Sequence, residues 1–274
     1  MVTGTGIWSS ELRYGDAAEA ADATAELESL GYTAVWVPDV GGDLFGVLDR
    51  LLAATTTVTV ATGILNIWRQ EATATNAWWA AQSPADQERT LLGLGVSHGP
   101  LIGDAWRKPL AVMRDYLDAI EVPAPHLCLA ALGPRMLELA RDRMAGAHPY
   151  LVTPEHTATA RETLGDGPLL APEQGVVLET DPETARDVAR HMLAGYATMP
   201  NYANSWLRLG FTDEDVRTLS DGLVDALVAW GDVDRIAARV AEHRAAGADH
   251  VCIQVIQAPR KPAPREAWRA LAGV

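Results

Sequence analysis

Apolar runs of strand length alternate with amphipathic stretches along this chain, and the alternation holds from the N-terminus to about Pro200. Gly4–Ser9 (GTGIWS) predicts a first strand. Asp16 stands where an N-cap belongs, ahead of an Ala/Glu-rich helical stretch to Leu30 that Gly31 stops. Thr33–Pro38 (TAVWVP) is β-branched and aromatic, hence a second strand, and Gly41-Gly42 opens the way to a helix over Asp43–Ala54. Val58–Ile67 predicts a third strand with a glycine inside it, and a helix follows from about Glu71 to Gln82. Leu91–Gly95 predicts a fourth strand, with a helix around Pro109–Ile120 after it. A fifth strand begins at Leu127, its helix runs to Met144, and Ala147–Val152 is a short sixth run. Thr153-Pro154-Glu155 and Asp181-Pro182-Glu183 each read as a cap, a proline at the first helical position and an acid, flanking a seventh strand at Gly175–Leu178.

From Pro200 to Gly222 the rhythm breaks. The segment PNYANSWLRLGFTDEDVRTLSDG is polar, aromatic and punctuated by glycine, too long for a plain connection, and is a candidate lid. Asp232–Ala246 resumes a helix, and His250–Ile256 predicts an eighth strand. Ala258–Pro264 reads as a Pro/basic linker to a last short helix. Eight runs alternating with eight helical segments predict an α/β fold, a (β/α)8 TIM barrel with an insertion between strand 7 and strand 8, forming one domain over residues 1–274. An open doubly wound sheet is the alternative.

Composition narrows the function. A net charge of −14 lacks the basic footprint that nucleic acid or an anionic membrane surface requires. With no signal-like or spanning apolar segment, the expected setting is cytoplasmic. Cys128 and Cys252, the two cysteines, each sit in an apolar run and read as buried thiols. The histidines are scattered singly, so no metal site is expected. No GxSxG motif appears.

In a barrel, functional side chains gather just after the strands. Here those positions hold Trp8-Ser9, Asp39, Gly63-Ile64 with Asn66, Ser97-His98, Gly133 with Arg135 and Met136, His148 with Tyr150, Glu179, and Gln254 with Gln257. Gly133-Pro134 marks a strand-to-helix junction. The N–H groups at Arg135 and Met136 would face an anion with the helix dipole behind them, and Arg135 could add a bidentate grip. An ordinary turn with an exposed arginine is the alternative. Other cations available to an anionic ligand are Arg69, Arg107, Lys108, Arg260 and Lys261.

The segments ATGILNIW, LLGLGVSHG, LAALGPRMLELA and AGAHPYLVTPEHT, followed by LVDALVAWGD and AGADHVCIQV, resemble in order the luciferase-like monooxygenase superfamily. The branch they are most similar to is that of coenzyme F420-dependent oxidoreductases. The resemblance implies a small-molecule oxidoreductase that is a homodimer and binds F420, with FMN as the alternative cofactor, at the C-terminal face of a barrel. A non-catalytic flavin-binding barrel is a further alternative. The resemblance also implies a cis peptide at Gly63–Ile64 backing the cofactor ring, a cofactor phosphate at Gly133–Met136, and an acid near the cofactor at Asp39. Asn66, Ser97 and His98 complete the expected cofactor set. His98 is the candidate proton carrier, since hydride transfer needs a matching proton; a loop histidine bonded to backbone is the alternative. Asp39 is the second catalytic candidate. Trp8, Trp68, Tyr202 and Trp206 are candidates for a substrate wall. Val40 stands where sugar-phosphate dehydrogenases of the branch carry a histidine, and His98 where they carry an acid, which argues against a sugar phosphate.

Overall fold

Strands rich in Val, Ile, Leu and Trp can be buried on both faces only in a parallel sheet covered by helices. The computed structural model, which describes residues 2–257 and 262–274, shows such a sheet. Its strands are β1 (Gly4–Trp8), β2 (Ala34–Val37), β3 (Thr59–Asn66), β4 (Thr90–Gly95), β5 (Leu127–Leu129), β6 (Gly146–Ala147), β7 (Leu169–Leu170), β8 (Glu173–Val177), β9 (Val228–Trp230) and β10 (His250–Val255). Their order is β7-β6-β5-β4-β3-β2-β1-β10-β8-β9, and every pairing is parallel. β7 and β8 are two parts of one stretch, 169–177. Leu169 and Ala171 donate to the carbonyls of Ala145 and Ala147 beside β6, while the Pro172 carbonyl accepts from Cys252 on β10. The sheet therefore curls round, its far strands meeting through that stretch.

Helix starts follow the caps that the sequence offers. The Asp16 carboxylate accepts from the N–H groups of Ala18 and Glu19, Thr153 from His156, and Asp181 from Thr184. Inside the curl, Trp8, Trp36, Cys128 and Cys252 pack together, both cysteines being free and buried thiols. His148 stacks on Trp36 with ring centroids 4.1 Å apart, and Trp36 Nε1–H donates to His250 Nε2 at 3.2 Å.

Three sequence expectations are corrected. There are ten strands among the described residues rather than eight: Leu169–Leu170 and Val228–Trp230 are too short to stand out as runs. Of the sixth run, Ala147–Val152, only Ala147 pairs, as the end of β6, because Pro149 and the left-handed Leu151 (φ 55°) turn the chain away. Pro200–Gly222, where the strand–helix rhythm breaks, is largely helical. It folds as helices Pro200–Arg208 and Asp213–Thr218 and runs into Asp221–Leu227, with Thr212 and Asp215 in a capping box and Ser220 as the last N-cap. The polar residues that break the pattern are largely these caps. Their apolar faces carry Tyr202, Trp206, Val216 and Leu223 into a second core against helix Pro182–Ala197. The linker residues 258–261, with Arg260 and Lys261, lie outside the described residues.

Candidate active site

The carboxyl ends of the parallel strands open into two adjoining cavities of about 680 and 420 Å³ that share Ile64, Ser97, His98, Ala130, Tyr150 and Tyr202 in their walls. At the floor is a bulge in β3, where the register against β4 slips between Thr62 and Leu65. The Gly63–Ile64 peptide is cis. Both carbonyls of the bulge are held: Trp8 Nε1–H donates to Gly63 O at 2.7 Å, and the Asp39 N–H to Ile64 O at 3.1 Å. Glycine is required at position 63 by close approach, since a Cβ there would lie 2.6 Å from Trp8 Nε1 and 3.0 Å from His148 Nε2.

Asp39, directly after β2, is 4% exposed and lines the larger cavity. Its Oδ2 accepts from the Asn66 N–H and from Gln70 Nε2, both at 3.3 Å. Its Oδ1 is buried and has no partner among the described residues. An orphaned carboxylate oxygen at a cavity wall is a place for a ligand donor. Ser97 stands in left-handed backbone at φ 60°, a conformation costly for a side chain other than glycine. It turns β4 so that His98 projects over the groove. His98 Nδ1–H donates to Asn201 Oδ1 at 2.9 Å, leaving Nε2 as the bare nitrogen of the neutral ring. Burial lowers the His98 pKa, and the bond to Asn201 opposes that shift.

Of the expected anion cradle, Gly133 and Met136 line the smaller cavity, while Pro134 is exposed and contributes only the helix turn. Two details differ from expectation. The Met136 N–H is already bonded to Gly133 O at 3.1 Å, so only that of Arg135 has no partner among the described residues. The Arg135 side chain points outward to a separate surface dent beside Arg114, Glu138 and Asp142. The reason is helical geometry: Met136 faces the groove and Leu137 the core, which puts residue 135 on the outer side. The cation at the cradle is Arg208, whose guanidinium donates to Leu132 O at 3.0 Å and lies 3.8 Å from where a Gly133 Cβ would be. It comes from the helix Pro200–Arg208, and nothing in the local sequence marks it as a partner of residue 133.

The expected aromatic wall is half present. Trp8 and Tyr202 line the cavities. Trp206 is 0% exposed and donates to Leu151 O from the second core, and Trp68 lies outside the lining, its Nε1–H given to Val96 O at 2.7 Å. Tyr150, Tyr196, Met199 and Gln254 complete the wall of the larger cavity, and Trp106 joins the smaller one. Tyr196 and Met199 lie on one helix and its C-terminal turn, which only the folded chain brings opposite β10. Arg69 reaches the larger cavity, whereas Arg107 and Lys108 do not.

Residues 1–122 match the family model of the luciferase-like monooxygenases. A Mycobacterium tuberculosis protein named as a candidate coenzyme F420-dependent oxidoreductase is 24% identical over 307 residues, covering 83% of this chain and 88% of its own. Among solved structures, an F420-dependent secondary alcohol dehydrogenase in complex with an F420-acetone adduct superposes with a TM-score of 0.72 at 15% identity, over 93% of this chain and 94% of that one. The F420-dependent tetrahydromethanopterin reductase of Methanopyrus kandleri gives 0.73 at 16% identity, over 99% and 97%. The FMN-bound oxygenating component of a Pseudomonas putida diketocamphane monooxygenase gives 0.67 at 13%, over 100% and 98%. The N-terminal 122 residues thus carry the luciferase-like monooxygenase family pattern, on a fold that nearly the whole chain shares with solved F420-dependent and FMN-bound enzymes.

Proposed function

We propose that the protein is a coenzyme F420-dependent oxidoreductase built on a (β/α)8 barrel, with residues 200–222 covering the cleft. The observation that carries this reading is the convergence, in one continuous groove, of the β3 bulge, the orphaned Asp39 Oδ1, and the Gly133 helix start with Arg208 beside it. Such a groove suits a planar ring at one end and an anionic tail at the other. Gly63, Ile64 and Asn66 would back the ring, Asp39 would take a donor from it, and Ser97 and His98 would hold its edge. Gly133, Met136 and Arg208 would meet the tail, on the helix turn that Pro134 sets. When bound, F420 supplies or accepts a hydride.

The chain's own part is proton handling and exclusion of water. His98 Nε2, freed by the Nδ1–H bond to Asn201, takes or gives the proton that accompanies the hydride. Met199, Tyr196 and Tyr202 close the apolar side of the groove, which keeps water from the reacting carbon. We read the active species as a homodimer, which sedimentation velocity checks.

Turnover of reduced F420 with carbonyl, imine and activated alkene substrates under strict anaerobiosis tests the reading. Activity retained without oxygen, and lowered on the order of 10²-fold by His98→Ala, is the expected result. Activity that requires oxygen and FMN would instead support a monooxygenase, the reading favoured by the fold shared with the FMN-bound structure.

A further inference from the structure

We infer that the wall formed by Tyr150, Tyr196 and Gln254 is an oxygen-docking site that selects a substrate bearing an uncharged carbonyl group. This inference rests on the oxidoreductase reading for what happens next to the docked oxygen, but its evidence is independent of the cofactor.

Hydrogen-bond order sets the polarity of this wall. Tyr150 O–H donates to Gln254 Oε1 at 2.8 Å. Its single proton is thereby committed, so its contact with Tyr196, at 3.3 Å, is one in which the Tyr196 hydroxyl donates and Tyr150 accepts. The chain Tyr196 to Tyr150 to Gln254 then fixes the carboxamide with its oxygen occupied. Both Nε2–H groups of Gln254 are left without a partner among the described residues, on a half-buried side chain that lines the larger cavity. A pair of oriented amide donors with no acceptor is a site for a carbonyl oxygen.

The groups packed around this wall are uncharged. Trp8, Tyr202 and Met199 flank the chain, and β1, which carries Trp8, lies between β10, which carries Gln254, and β2, which Asp39 follows. Beneath lies Glu173, fully buried, one oxygen accepting from the Leu151 N–H and the other unpartnered. Burial pushes its carboxyl up to about 8, which keeps it neutral near pH 7, and burial raises all three tyrosines as well. His148, at about 4, is also neutral. Arg69, on the β3 side, is the cation of this cavity and is exposed. A carboxylate or phosphate seated against Gln254 would be desolvated without a counter-charge, and an ammonium would meet donors.

The probes are cyclohexanone and cyclohexanecarboxylate, similar in size and different in charge, each titrated against the protein with and without F420 and followed by saturation-transfer NMR and tryptophan fluorescence. Saturable binding of the ketone is expected, at least tenfold tighter than that of the carboxylate. Gln254→Leu should weaken ketone binding about tenfold, and Tyr196→Phe by less, since it removes order rather than the donors. Gln254→Glu, which puts a carboxylate at the same position, should abolish it and serves if the leucine variant does not fold. Equal binding of the two probes, or ketone affinity indifferent to Gln254→Leu and Gln254→Glu, overturns the inference. Ketone selectivity that persists while F420 fails to bind would remove the cofactor reading and leave this one standing; F420 binding without ketone selectivity would do the reverse.

Discussion

Gly63→Ala tests how tightly the floor of the cleft is built. The new methyl group would lie 2.6 Å from Trp8 Nε1, 2.7 Å from Trp8 Cδ1 and 3.0 Å from His148 Nε2, all inside contact distance. Neither neighbour can yield cheaply. Trp8 is 8% exposed and is tied by its indole N–H to the carbonyl of residue 63 itself, and His148 is stacked on Trp36 and bonded to Ala171 O at 2.7 Å. Overpacking of this kind costs about 1–3 kcal/mol, and losing the indole hydrogen bond about 0.5–1.5 more. A total of ~3 kcal/mol, with an m-value of ~3 kcal/mol/M, lowers the urea midpoint by about 1 M. The control is Gly195→Ala on helix Pro182–Ala197, where a Cβ meets nothing within 4 Å; it should raise stability by about 0.5–1 kcal/mol. Urea unfolding followed by tryptophan fluorescence, with F420 titrated in parallel, reads both. A Gly63→Ala midpoint equal to wild type would refute the close approach, and with it the account of the floor.

The other expectations concern charge. Arg208→Ala should weaken F420 binding on the order of tenfold in a fluorescence titration and Arg135→Ala should leave it unchanged; the opposite pattern would restore Arg135 to the cradle. Glu173 is an acid whose folded pKa, about 8, exceeds its unfolded value. The unfolded chain therefore ionises first, and folding stability is lost as pH rises from about 4.5 to about 8. Glu173→Gln should flatten that decline, and an unchanged slope in urea melts across this range would contradict the burial argument. On the acid side, His148 at about 4 and His243 and His250 at about 3 are held neutral by burial. Their stability is complete above about pH 6.5 and is lost as pH falls toward those values, with a slope of up to ~4 kcal/mol per pH unit for three protons. A slope below that of a single proton between pH 6 and 5 would sink it.

The strands that position the site were legible because they are continuous apolar runs followed at once by polar or glycine residues: TAVWVP then Asp39, LLGLG then Ser97-His98, LCL then the Gly133 turn. Periodicity reads such local signals directly. What it did not read depends on contacts between distant parts of the chain. Arg208 reaches the Gly133 turn only because the helix Pro200–Arg208 places it against the Leu132 carbonyl, and Tyr196 meets Tyr150, and Tyr150 Gln254, only through the curl of the sheet. Trp206 looked like a wall residue because it is aromatic and near Tyr202, but a one-turn displacement along the helix sends it into the second core. Arg135 failed for the converse reason, since the residues on either side of the helix turn decide which way it points. β7 and β9 were invisible because two or three residues carry no period.

Parallel titration of the purified protein with F420 and with FMN, following the fluorescence of each cofactor, decides which of the two the groove holds. Saturable quenching of F420 and not of FMN, weakened by Arg208→Ala, is the expected result. Saturable binding of FMN alone, or of neither cofactor, would contradict it.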